Sequence, residues 1–126
     1  MSLEPEELKT LVRPSAAHRR LYTDPAIFEL EMKRIFDRTW IFVGHESQIR
    51  EPGDFVRSRL GRHEVVVTHD QDGKIHVLMN RCAHRGAQVC LAERGNTRTF
   101  ICPYHAWTYN PDGSLHSVPH RKSYPA

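Results

Sequence analysis

The chain has 126 residues, of which 39% are hydrophobic with glycine left out and 26% are charged. That length allows one domain with an arm and leaves no room for a second catalytic domain, and the composition is close to the globular average, which excludes overall disorder. Eighteen Lys and Arg against fifteen Asp and Glu leave a formal charge of +3, too small and too dispersed to read as a nucleic-acid footprint.

In chain order, MSLEPEELK carries Glu4, Glu6 and Glu7 where a secretory signal would be basic, and no apolar core follows it. A cytoplasmic chain is expected, a compartment in which disulfides are rare. Pro5 opens a short amphipathic helix with Leu8, Leu11 and Val12 at helical spacing, and Pro14 ends it. Asp24-Pro25 is a strong cap and first-turn pair. From it Phe28, Met32, Ile35 and Phe36 form an apolar stripe, predicting a helix over about 25–37.

From Trp40 onward the period shortens toward two and turn residues recur, as in an antiparallel β domain. The predicted strands are about 40–43, 54–60, 63–70, 74–79, 97–101, 106–110 and 114–117. Asp72-Gly73 and Asp112-Gly113 are hairpin signals, and Pro52-Gly53 marks a further turn. Residues 80–96 follow neither period and read as a long functional loop. The longest apolar stretches, Trp40-Ile41-Phe42-Val43 and Val65-Val66-Val67, fall far short of the roughly 18 residues a membrane span needs. No membrane partner is expected.

Two short elements concentrate cysteine and histidine: Cys82-Ala83-His84 and Cys102-Pro103-Tyr104-His105. Each supplies one thiolate and one imidazole. A structural zinc site usually takes its cysteines from one half and its histidines from the other, whereas here the types alternate. In a Rieske centre two thiolates hold one iron and two imidazoles hold the other. Two loops side by side, each giving one ligand of each type, generate that pairing: Cys82 and Cys102 on one iron, His84 and His105 on the second. A zinc-stabilised structural module is the alternative reading of the same four residues.

The strings N-R-C-A-H-R-G at 80–86 and C-P-Y-H-A-W-T-Y-N-P-D-G at 102–113 resemble the Rieske domain of aromatic-ring-hydroxylating dioxygenases, in the N-terminal part of their large (alpha) subunit. The resemblance begins with the helix at 25–37 and W-I-F-V-G-H-E-S-Q-I at 40–49 and runs to about 118. The wording of residues 40–49 is most similar to the benzoate, anthranilate and terephthalate group. Ala106 stands where many members have glycine. Respiratory Rieske proteins have two further cysteines joined as a disulfide where this chain has Ala87 and Tyr104, so the low-potential end of the Rieske range is expected.

The resemblance implies a mainly β fold, an antiparallel β-sandwich with two cluster-binding loops, preceded by one or two α-helices. It divides the chain into a helical arm at 1–39, a 2Fe-2S domain at 40–118 and a linker at 119–126 toward an absent catalytic domain. The cofactor would be a Rieske 2Fe-2S cluster on Cys82, His84, Cys102 and His105, with mononuclear Fe(II) only in the missing domain. The implied partners are a reductase or ferredoxin as donor, the catalytic domain, neighbouring large subunits and a small beta subunit. The chain alone would transfer electrons and hydroxylate nothing, so no catalytic residue is assigned. A free-standing Rieske ferredoxin is the other reading, disfavoured by the roughly forty residues before the first β-strands.

Cys90 reads as a small buried hydrophobe, since four ligands already complete the set. The seven histidines outside the motif read as surface or structural. Trp107 reads as packing that shields the cluster, and Arg81 and Arg85 either as solvated residues or as loop-orienting and docking groups.

Overall fold

The computed structural model describes residues 5–124, and the chain divides into two compact units after Ile41. The first unit opens with helix α1 (Pro5–Thr10). Strands β1 (Val12–Arg13) and β2 (Ala16–Ala17) then pair as a minimal hairpin across Pro14 and Ser15. The helix predicted to continue to Pro14 therefore stops earlier: a residue preceding proline is pushed toward extended backbone, which suits Arg13 to the hairpin. A short helix α2 (Arg20–Thr23), not anticipated, precedes α3 (Pro25–Glu31).

Asp24 caps α3 as expected, its Oδ1 accepting from the Ala26 N–H at 3.0 Å. The same carboxylate binds Arg20, which also reaches Glu7, so α1, α2 and α3 meet at one guanidinium. The predicted helix over 25–37 is continuous in extent but changes type. Past Glu31 it widens into a π turn over Met32–Phe36, closed by the Asp37 N–H on the Met32 carbonyl at 2.9 Å. Leu11 and Ile27 are the buried apolar residues of this unit.

The second unit contains two antiparallel sheets. Strands β3 (Asp54–Leu60), β4 (His63–His69), β5 (Ile75–Met79) and β6 (Arg94–Asn96) form one, in the order β5-β4-β3-β6. Strands β7 (Phe100–Ile101), β8 (Thr108–Tyr109) and β9 (Leu115–Ser117) form the other. Asp72-Gly73 turns β4 into β5 and Asp112-Gly113 turns β8 into β9, as predicted. Pro52-Gly53 joins no hairpin; the Gly53 N–H bonds the His69 carbonyl at 2.8 Å and fastens the start of β3 to the end of β4.

Two expectations are corrected. Residues 40–43 form no strand. The chain around Gly44 instead crosses the face of the first sheet, with Val56 and Val67 side chains about its α-carbon, so it meets no free strand edge. It continues into a short 3-10 turn at Glu46–Gln48, where the His45 N–H donates to Gln48 Oε1 at 2.8 Å. The loop predicted over 80–96 is also shorter, because Arg94–Asn96 pairs with Asp54–Val56. That pairing depends on Gly95, where a Cβ would come within 2.9 Å of the Phe55 ring.

The core between the sheets contains Phe55, Val66 and Cys90, with Phe100 edge-on to Phe55 at 5.3 Å. The buried Thr68 hydroxyl on β4 donates to the Pro111 carbonyl of the β8–β9 turn at 2.6 Å and ties the two sheets together. On the outer face, Ile49 is fully buried and its carbonyl meets His69 Nδ1 at 2.9 Å. The mainly β, antiparallel architecture expected from the sequence is the one observed.

Candidate metal centre

The two Cys/His elements become two loops of the same backbone design. In the first, between β5 and β6, the Cys82 N–H donates to the Ala87 carbonyl at 2.8 Å and the Gly86 N–H returns to the Cys82 carbonyl at 2.8 Å. In the second, between β7 and β8, the Cys102 N–H donates to Trp107 at 2.8 Å and the Ala106 N–H to Cys102 at 2.9 Å. Closing each six-residue loop requires a left-handed fifth residue: Gly86 at φ +75° and Ala106 at φ +56°. Glycine enters this region without penalty, whereas alanine is strained there. The departure noted at Ala106 thus falls on a conformationally demanding position.

This shared design sorts the side chains by type. Cys82 and Cys102 are both buried, at 2% exposure each, and the Cys102 thiol is near enough to lower the pKa of the Cys82 thiol. His84 and His105 meet edge to face with ring centroids 4.7 Å apart. The thiols thus make one pair and the imidazoles another. A thiol pair beside an imidazole pair fits the donor chemistry of a cluster with two unlike irons.

Tyr109 on β8 reaches across to the first loop. Its hydroxyl lies 3.2 Å from Cys82 Sγ and accepts the Ala83 N–H at 3.0 Å. Burial opposes ionisation of the Cys82 thiol, yet the Tyr109 hydroxyl, nearby backbone N–H groups and the Cys102 thiol together hold it below the ordinary thiol range. The Tyr109 phenol is pushed up to about 12, by burial first and then by its bond to Cys82. It therefore stays a neutral hydroxyl able to donate toward sulfur.

Asn80 anchors the other end of the first loop. Its Oδ1 accepts from the Val89 and Cys90 N–H groups at 3.1 and 2.8 Å, and its Nδ2 donates to the Cys90 carbonyl at 2.7 Å. Both Asn80 and Tyr109 lie inside the motif strings, yet sequence reasoning assigned neither a role. The available signal was a polar residue flanking each Cys/His element on a predicted strand end.

Aromatic rings back both imidazoles. Trp107 stacks on His84 at 4.9 Å with the planes 9° apart, and Tyr104 lies 3.9 Å from His105. Arg85 in the first loop reaches Tyr104 in the second, 3.4 Å from its hydroxyl and 5.4 Å above its ring. Trp107 is therefore in contact with the imidazole itself, and its Nε1 is buried without a protein partner. Arg81 lies over Gly86, where a Cβ would meet its Nε at 3.2 Å.

Cys90 stays outside the pair, in the core beside Phe55 and Val66, with burial pushing its thiol up. Several of the remaining histidines bind local protein groups, including His76 on Asp70 at 2.6 Å and His116 on Asn110 at 3.0 Å.

A thiol pair and an imidazole pair on two matched loops of a small β-sandwich define a Rieske iron-sulfur protein. Residues 39–126 match the Rieske [2Fe-2S] domain family, and the chain belongs to it. Benzene 1,2-dioxygenase subunit alpha from Pseudomonas putida is 45% identical over 101 residues, which are 80% of this chain and 22% of that protein. Biphenyl 2,3-dioxygenase subunit alpha from Rhodococcus jostii is 46% identical over 100 residues, covering 79% and 22%. A crystal structure of naphthalene 1,2-dioxygenase from Rhodococcus sp. superposes with a TM-score of 0.80 at 40% identity, over 94% of this chain and 29% of that one.

The chain thus spans about a quarter of the length of the proteins it matches. The narrower likeness of residues 40–49 to the benzoate, anthranilate and terephthalate group has no counterpart among these three names. No helix among the described residues is long and apolar enough to cross a membrane.

Proposed function

We propose that Cys82 and Cys102 hold one iron of a 2Fe-2S cluster and His84 and His105 the other, in the electron-transfer domain of an aromatic-ring-hydroxylating dioxygenase large subunit. The observation that carries this is the sorting of the four side chains into a buried thiol pair and an adjacent imidazole pair. Such a cluster, when bound, accepts and releases one electron.

The chain's own residues set the conditions for that exchange. The Cys82 and Cys102 sulfurs are withdrawn from water, and the Tyr109 hydroxyl lies within bonding distance of Cys82. The imidazole side is the more open one: His105 is exposed and His84 half-buried. Electrons therefore enter and leave on the histidine side. Arg85 and Tyr104 brace that side across the two loops.

The whole protein's activity is read from the company the chain keeps. Its relatives named above are alpha subunits of dioxygenases, so a reductase or ferredoxin is the proposed donor. The proposed acceptor is a mononuclear non-haem iron in a catalytic domain beyond residue 126, contributed by a neighbouring large subunit, with a small beta subunit completing the assembly. An aromatic ring is the proposed substrate class.

Metal and acid-labile sulfide analysis of anaerobically purified chain, with an EPR spectrum after dithionite reduction, tests the site. Two irons, two sulfides and a rhombic signal of low average g are expected. One zinc with no sulfide and no signal would replace the reading with a structural module.

A further inference from the structure

We infer that residues 119–124 form a folded strap whose Tyr124 ring closes the outer side of the His84–Trp107 stack and positions that imidazole. The inference rests on the reading of His84 as a cluster ligand and adds a positioning residue that the motif does not contain.

The first observation is backbone strain. His120 adopts φ 54°, ψ 40°, in the left-handed region, which residues other than glycine occupy when their surroundings impose it. Nothing in an extended linker would require that conformation. Its effect is to reverse the chain into a 3-10 turn over Arg121–Ser123, held by the Ser123 N–H on His120 at 2.8 Å and the Tyr124 N–H on Arg121 at 3.1 Å. Tyr124 is delivered at the end of that turn.

The second observation is where the ring lands. Tyr124 stands 5.5 Å from Trp107 at 85° and 6.3 Å from His84 at 87°. Because Trp107 and His84 are themselves only 9° from parallel, a single ring standing on edge meets both, in the perpendicular arrangement that aromatic pairs favour. Tyr124, like the rest of the strap, is exposed, with 37% of its surface open, so it is the ring-to-ring geometry that places it on the pair.

His84 therefore lies in a bracket, with Trp107 parallel to its ring and Tyr124 across the pair, while His105 has only Tyr104 and the edge of His84. A ring held on two sides loses freedom to turn and admits less water beside the metal, and both change ligand strength and potential. The oxidised centre, with two ferric ions, two sulfides, two thiolates and two neutral imidazoles, sums to zero charge. One added electron makes it −1. Water admitted beside His84 favours the charged, reduced state, so loosening the bracket raises the potential.

The experiment compares the cluster-loaded 126-residue chain with Tyr124→Ala and Tyr124→Phe. Tyr124→Ala is expected to lose iron to a chelator roughly three- to tenfold faster and to have a higher midpoint potential. Tyr124→Phe should match the parent in both, since the ring makes the contact. Parent-like behaviour of the alanine variant would overturn the strap, and so would a phenylalanine variant as impaired as alanine. A parent chain that takes up no iron-sulfur cluster would defeat the reading of His84 as ligand instead. The strap is then tested in metal-free protein with Trp40 replaced by Phe, leaving Trp107 as the only tryptophan: Tyr124→Ala should shift its emission to the red, and an unchanged spectrum would overturn the contact.

Discussion

The Tyr109 hydroxyl lies 3.2 Å from the Cys82 sulfur while it accepts the Ala83 N–H at 3.0 Å. One side chain on β8 thus fixes the start of the first loop and supplies a donor to a thiolate. A hydrogen bond to a ligand sulfur favours the reduced state of an iron-sulfur centre. Tyr109→Phe is therefore expected to lower the midpoint potential by roughly 20–60 mV, the equivalent of one ordinary hydrogen bond, with iron content unchanged. Protein-film voltammetry of the two proteins checks it.

The three cysteines should separate cleanly in a metal assay. Cys82→Ser and Cys102→Ser are expected to abolish cluster uptake, because each removes one of the buried pair of thiols. Cys90→Ala should retain full iron and sulfide and destabilise the fold by about 1 kcal/mol, the cost of a small vacancy beside Phe55 and Val66. Loss of cluster in Cys90→Ala would make it part of the centre.

The two matched loops differ at their left-handed residue, and that difference is measurable. Ala106→Gly should stabilise the chain by about 1 kcal/mol through relief of strain at φ +56°. Gly86→Ala should destabilise it by at least about as much, since it adds the same strain and a contact 3.2 Å from Arg81. Urea midpoints of the three proteins, compared at constant slope, give the answer.

Acid should weaken the β4–β5 hairpin through Asp70. Its carboxylate is held below the ordinary range by His76 first and then by the Lys74 and Asp72 N–H groups. A depressed folded-state value means that the group binds protons less readily folded than unfolded. Its contribution is complete above the unfolded value of about 3.9 and is lost as pH falls from there through the folded value. Asp70→Asn should therefore flatten the acid limb of the stability profile between about pH 5 and 2. Urea titrations across that window would contradict the assignment if both proteins lost stability in parallel.

Removing Asn80 should show how much the first loop depends on its anchor. Asn80→Ala deletes three hydrogen bonds and strands the buried Cys90 N–H, an expected loss of about 2–4 kcal/mol. Faster cluster loss than in the parent should accompany it, read by the decay of visible absorption.

Much of the chain was legible without coordinates because the relevant physics is local. Asp24-Pro25 presets the start of α3, the Asp-Gly pairs preset two hairpins, and the β-rich runs over 54–79 mark three strands, of which β5 alternates in burial while β4 is buried continuously from Val65 to Thr68. The four Cys and His positions could be named because metal donors are few in kind and their spacing within each loop is short. The resemblance of these strings to the Rieske domain of ring-hydroxylating dioxygenases agrees with the family match.

What failed was non-local. Residues 40–43 have strand-like composition, but a strand needs an edge to pair with, and this segment pairs with none. Arg94–Asn96 has none of the β-branched pattern and is nevertheless a strand, because β3 presents an open edge and Gly95 lets the backbone pass the Phe55 ring.

By itself the sequence determined the residue types, the two loops and the chemistry their donors can support. Only the tertiary structure decided the pairing of thiol with thiol and imidazole with imidazole, together with the bonds of Tyr109 and Asn80 and the reach of Tyr124. Those contacts join residues from 9 to 40 positions apart, Val89 to Asn80 at the short end and His84 to Tyr124 at the long one. Distances of that kind are set by the packing of two sheets, which no local pattern encodes.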